Sequence, residues 1–147
     1  MAIANDSSAD LITEYVTVTI GDHMFGLPIF RVQDVFVPVG LTRVPLAPPE
    51  VAGILNLRGR VVTAIDMRSR LDFGPREPGA PVMAIGIEFK GESYGLLVDA
   101  VGEVIQLHNS ACEAKPANLD PRLSRVAAGI YRLEGQLMVV LLSLIHI

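Results

Sequence analysis

The chain repeats itself. Residues 25–35, FGLPIFRVQDV, align without gaps on residues 94–104, YGLLVDAVGEV. Phe25 falls on Tyr94, Gly26 on Gly95, Leu27 on Leu96, Val32 on Val101, Asp34 on Glu103 and Val35 on Val104, an offset of 69 positions (25 to 94). Farther along, Gly53-Ile54, Leu57 and Gly59 match Gly129-Ile130, Leu133 and Gly135 at an offset of 76 (53 to 129). A duplicated chain folds as two like units, with the extra residues of the second copy placed in its long loop. Short strands, closely spaced turn signals and a duplicated hairpin plan predict two small β-barrels side by side.

The local pattern supports this all-β reading. Tyr15–Ile20 alternates, with Val16, Val18 and Ile20 on one face and Tyr15, Thr17 and Thr19 on the other, which predicts a half-buried strand. Gly21-Asp22 turns the chain and Met24–Ile29 returns it. A short turn over Phe30–Asp34 and an extended run over Val35–Val39 follow. Pro45, Pro48 and Pro49 forbid regular sheet pairing, and Pro49-Glu50 suits a brief helical turn. In VAGILNLRGRVVTAIDMRSRL, residues 51–71, Gly53–Leu57 and Arg60–Ile65 read as the arms of a hairpin turning at Arg58-Gly59. Met67–Leu71 reads as a helical turn with Arg68 and Arg70 facing water. DFGPREPGA, residues 72–80, is a Pro- and Gly-rich linker. Val82–Phe89, Tyr94–Val98 and Gly102–Leu107 are extended, Asn109–Ser124 is a long loop with a helical turn, and Gly129–Leu141 is a final hairpin. The division is a mobile tail over 1–13, a first barrel over about 14–71, the linker, and a second barrel over about 81–147.

The residues carry no catalytic constellation. His23, His108 and His146 have no Cys or carboxylate at ligand spacing, so no metal site is expected, and no cofactor. Cys112 is the single cysteine, which fits a reducing cytoplasm and excludes an internal disulfide. Asp66 and Asp99 each end an apolar run and read as strand caps or ion-pair partners of a nearby Arg. The net charge of −4 and the sparse aromatics count against nucleic acid, which is the reading from a different class. MAIANDSSAD lacks the pattern of a signal peptide, and no apolar run has transmembrane length, so no direct membrane contact is expected. What remains is surface for protein partners, with a groove between two barrels as a natural docking site. Val32, Val35, Ile54 and Val62 are candidates to line it.

NLRGRVV, followed by Ile65-Asp66 and an Arg-rich turn, resembles the CheW-like coupling domain of bacterial chemotaxis, and the resemblance runs from about Glu14 to Leu141. It implies two five-stranded SH3-like barrels with a groove between them. It also implies a non-enzymatic adaptor that links chemoreceptor cytoplasmic tips to the regulatory domain of a chemotaxis histidine kinase. That kinase domain shares the fold and would meet this one barrel to barrel. The adaptor would work in the cytoplasm, held at the inner face of the membrane through receptor arrays. The family's receptor contacts fall on Val32 and Asp34 in RVQDV and on Gly53, Asn56 and Arg58 in GILNLRG. Asp34 stands where the family often has Glu, keeping the charge with a shorter reach. The kinase-facing surface belongs mainly to the second barrel, with Gly95, Val98 and Val101 in the matching motif. Within the same family, a pilus-motility or other chemosensory pathway is the alternative.

The second copy departs from the first at its end. Asp66 aligns with Leu142, so the first copy closes with Asp and a helical turn, whereas the second runs on as LLSLIHI. The family usually places an Asp and a short helix here, and LLSLIHI reads like a translated sequencing adapter. The expectation is a truncated or non-native terminus from 142.

Overall fold

Alternating apolar residues and glycine-bearing turns produce ten strands among the described residues, which are 11–57 and 59–141 of this computed structural model. In chain order they are β1 (Ile12–Ile20), β2 (His23–Pro28), β3 (Val32–Phe36), β4 (Val51–Leu57), β5 (Arg60–Asp66), β6 (Met83–Phe89), β7 (Glu92–Val98), β8 (Ala100–His108), β9 (Ala127–Leu133) and β10 (Gln136–Leu141). Two single-turn helices, α1 (Met67–Arg70) and α2 (Pro121–Ser124), follow β5 and precede β9, and 3₁₀ turns occupy Ile29–Arg31 and Asn109–Ala111. Residues 1–10 of the expected tail and the departing terminus 142–147 lie outside the described residues. The tail was expected to reach 13, yet Ile12 and Thr13 already pair with His108 and Leu107 of β8.

The strands form two five-stranded sheets, ordered β8-β1-β2-β10-β9 (sheet A) and β3-β6-β7-β5-β4 (sheet B). Neighbours are antiparallel except β2 with β10 and β5 with β7. The two orders are the same once β1–β5 are read as one copy of the repeat and β6–β10 as the other. Each sheet takes two strands from one copy and three from the other. This corrects the contiguous division at 14–71 and 81–147. Only Ile29–Arg31 separates β2 from β3, and only Asp99 separates β7 from β8, so each copy crosses between sheets after its second strand. Because the copies share one apolar pattern, a strand meets an equally suitable partner in either copy, and the pattern alone does not say which.

The duplication extends to irregular details. Thr42 pairs with Ile54 and Glu113 with Ile130 in isolated bridges, each alongside an edge strand. The register slips between Val51 and Gly53 in β4, and opposite Ala127 and Gly129 in β9. Both Gly53 and Gly129 are closely approached: a Cβ at Gly53 would strike the Thr42 carbonyl, and one at Gly129 would lie 2.8 Å from Cys112 Sγ and 3.0 Å from the Glu113 carbonyl oxygen.

One apolar cluster joins the sheets. Val16, Val18, Ile20, Phe25 and Leu27 of sheet A meet Ile65, Ile85, Leu96 and Val98 of sheet B, with Met67, Leu71, Leu123 and Val126 filling the ends. Burying each such large side chain contributes about 1.5–3 kcal/mol, so this layer is the main adhesive between the sheets. A second cluster (Leu55, Val62, Ala64, Ala84 and Leu97) lies in sheet B, and a third (Tyr15, Tyr131, Met138 and Val140) in sheet A. β1 is therefore buried on both faces along Tyr15–Val18, not on one as its alternation suggested. The Tyr15 and Tyr131 rings pack edge to face at 5.3 Å with their hydroxyls 3.2 Å apart. Burial, aided by that hydroxyl contact, pushes the Tyr131 phenol well above its ordinary range.

Asp99 ties the crossing point together. Its carboxylate accepts from Arg68 Nε and Nη2 at 3.0 and 2.8 Å, from Arg76 Nε at 3.1 Å and from the Gly21 amide at 2.8 Å. Asp66 caps α1 by accepting from the Arg68 amide at 3.0 Å. Both carboxylates thus play the structural parts expected of them, whereas Arg68, expected to face water, is drawn inward to Asp99. Burial alone would raise the Asp99 pKa, but Arg68, the Gly21 amide and Arg76 outweigh it and hold it below the ordinary carboxylate value. Arg76 comes from the 72–80 segment, which is therefore fastened to the body as well as linking it.

Candidate protein-docking site

Residues of edge strand β3 and of the β4–β5 hairpin line one groove of sheet B. The groove is open, has a volume of about 570 Å³ and is lined by Gln33, Asp34, Leu57 and Arg60. Asp34 sits beside a bulge, where the register with β6 slips between Val32 and Asp34. Arg60 opens β5. Its Nη2 lies 3.7 Å from Asp34 Oδ2, and both side chains retain access to water. A pair this long and this exposed contributes little stability, about 0–1 kcal/mol. Each charge keeps capacity for another partner, so the groove offers a carboxylate and a guanidinium at once. Gln33 Nε2 donates to Glu88 Oε1 at 2.9 Å along the rim.

The surroundings are apolar and open. Phe36 packs inward against the sheet B cluster, while Val35, Val37 and Val39, alternating with it, are exposed. Leu41 and Val44 continue this surface, and Leu46 is fully exposed with φ +63, a region that L side chains rarely adopt. Val61, next to Arg60, is 63% exposed. Contiguous exposed apolar side chains rimmed by charge mark interaction surfaces. Among the described residues no group of His, Cys, Asp and Glu is arranged to hold a metal ion.

The expected site residues separate into distinct roles. Asp34 faces the groove directly. Val32 is half-buried and packs toward the core shared by the sheets. Gly53 is buried at φ +153 beneath Thr42, a conformation and a space that only glycine suits. Asn56 is exposed at the hairpin end, where its Oδ1 accepts from the Gly59 amide at 2.9 Å. Arg58 lies outside the described residues. Of the apolar candidates, Val35 and Ile54 are exposed, whereas Val62 is buried in the sheet B core.

The kinase-facing group needs correction as a contact surface. Gly95 is buried with Val62, Phe36 and Ala84 around it, and Val98 is 1% exposed in the shared core. Neither touches the outside. β7 is central in its sheet, and a matching motif marks its equivalence to β2, not its accessibility. Val101, on edge strand β8, is half-buried against the core. Gln33, Leu57 and Arg60 were missed. Arg60 stands within NLRGRVV, two residues from Arg58, but nothing local distinguishes it from an ordinary strand charge; its partner Asp34 comes from β3, far away in sequence.

Away from the groove, Asp120 accepts from Arg122 Nε and Nη2 at 3.2 and 2.8 Å and from the Arg122 amide. The Arg122 guanidinium and amide lower the Asp120 carboxyl to about 2. Arg122 lies 4.8 Å above the Phe73 ring, tying the 72–80 segment to α2.

Comparison with known proteins agrees with this architecture. The profile of the CheW-like domain family matches residues 14–147. The chain is 29% identical over 125 residues to "Chemotaxis protein CheW" of Rhizobium meliloti (strain 1021), covering 85% of this chain and 81% of that protein. It is 24% identical over 130 residues to the protein of the same name from Helicobacter pylori, covering 88% of this chain and 78% of that one. The crystal structure of the scaffolding protein TtCheW from Thermoanaerobacter tengcongensis superposes with a TM-score of 0.80 at 29% identity, over 90% of each chain.

Proposed function

The chain belongs to the CheW-like domain family, and on that premise we propose that it couples chemoreceptor cytoplasmic tips to the regulatory domain of a chemotaxis histidine kinase. The observation that carries this reading is the sheet B groove. A carboxylate and a guanidinium, joined to each other only at 3.7 Å among the described residues, stand there among exposed apolar side chains. That combination suits recognition of a protein helix or hairpin. Receptor contact falls to Asp34 and Arg60 at the groove and to Asn56 and Arg58 at the hairpin, with Val32 and Gly53 holding the frame. The kinase surface belongs to the second copy of the repeat. Gly95 and Val98 shape it from within, and Val101 marks the β8 side. The protein works in the cytoplasm and reaches the membrane only through its receptor. It performs no chemistry; a rigid body passes receptor conformation to the kinase.

The test is a titration of a receptor cytoplasmic fragment against the protein and its Arg58→Ala variant. Truncating an arginine that is a hot spot of an interface weakens binding by about 2 kcal/mol, or roughly thirtyfold, and that is the loss expected here. Unchanged affinity with an intact fold would remove Arg58 from the contact. No binding by the unaltered chain would overturn the coupling reading.

A further inference from the structure

The duplication supplies an internal control for the groove. Thr17 of β1 and Gly86 of β6 hold equivalent places, as do Glu103 of β8 and Asp34 of β3, at the same offset of 69 (17 to 86, 34 to 103). Both places adjoin a bulge on an edge strand. In sheet A, Thr17 fills the notch. It is 6% exposed, and its Oγ1 donates to the Glu103 carbonyl at 2.7 Å. Glu103, with the notch occupied, is exposed. In sheet B, Gly86 leaves the notch open and the Asp34 carboxylate lies in it. Asp34 Oδ1 is buried there without a hydrogen-bond donor among the described residues, and a Cβ on Gly86 would collide with it.

We infer that Gly86 is the positioning residue of the docking groove: lacking a side chain, it seats the Asp34 carboxylate against β6 so that Oδ2 faces Arg60 and the groove. A buried carboxylate oxygen without a donor is unfavourable, and shape holds it in place. The register beside the bulge sets Asp34 directly opposite Gly86. A side chain at 86 would expel the carboxylate outward, as Thr17 leaves Glu103. Asp34 would then meet a partner from a different place and with full rotational freedom. The residue at 17 or 86 decides whether the acid across the bulge is fixed or free. This inference rests on the reading of the groove as the receptor-docking site.

Two double-mutant cycles test it, built from Gly86→Ala, Asp34→Ala and the double variant. In thermal melting, the change in Tm caused by Gly86→Ala should differ between the Asp34 background and the background in which residue 34 is Ala. If Gly86→Ala alone fails to fold while the double variant folds, that is the same coupling in its strongest form. In titration with a receptor cytoplasmic fragment, Gly86→Ala and Asp34→Ala should each weaken binding by about tenfold, with no further loss in the double variant. Gly86→Thr, which copies the sheet A notch, should behave as Gly86→Ala does. Equal Tm losses in both backgrounds would overturn the seat, and additive binding losses or unchanged affinity of Gly86→Ala would overturn the positioning role. If the unaltered chain binds no receptor fragment, the coupling reading fails and takes the positioning role with it, while the melting cycle still decides the seat.

Discussion

Single residues here are governed by space and charge. Gly53 sits at φ +153 with the Thr42 carbonyl against its Cα. Gly53→Ala must either shift the segment carrying Thr42 or break the Thr42–Ile54 bridge, and should destabilise the fold by about 1–3 kcal/mol in urea unfolding. Asp99 makes a pH-dependent contribution. Its folded pKa lies below the ordinary value, so its stabilisation is complete above the ordinary carboxylate pKa of about 3.9 and is lost as pH falls through the lowered value. Asp99→Asn should therefore lower Tm at pH 7, and its difference from the unaltered chain should shrink below about pH 4. An equal deficit at all pH values would show that the carboxylate charge is not what holds the crossing. Sequence disclosed these acids because each ends an apolar run within reach of arginines. It did not disclose that Gly95 and Val98 are interior, since a motif shared by two copies carries no record of depth.

Elements were legible where one face is apolar and unclear where both are. The β4–β5 hairpin and α1 fall where spacing predicts them. Asn56→Ala removes the acceptor for the Gly59 amide and should destabilise the hairpin by about 0.5–1 kcal/mol in urea unfolding. No change would mean that water replaces the side chain without loss. β3 was misplaced: an extended run was expected over Val35–Val39, but the strand is Val32–Phe36. Phe30–Arg31 belongs to a 3₁₀ turn so short that pairing with β6 resumes at once. β1 was read as half-buried because its second face carries Tyr and Thr, which that sheet also encloses.

The whole molecule is where sequence reading was least complete. The repeat announced two like units, and two like sheets exist. The exchange of strands between copies, however, depends on partners far apart in sequence, which no local pattern encodes. It has a direct consequence. Cutting between Gly79 and Ala80 gives halves that each hold strands of both sheets and leave the shared cluster of Val18, Phe25, Ile65, Leu96 and Val98 divided. Neither half should show cooperative unfolding by circular dichroism, and mixing them should restore it. A half that folds alone would contradict the exchanged arrangement. Within the assembled molecule, the groove lies in sheet B, and edge strand β8 lies in sheet A. A coupling protein must hold both partners at once, and the most direct measurement is a titration of receptor cytoplasmic fragment into the protein already saturated with the kinase regulatory domain. The account predicts a ternary complex with receptor affinity essentially unchanged; displacement of the kinase domain by the receptor fragment, in strict competition, would contradict it.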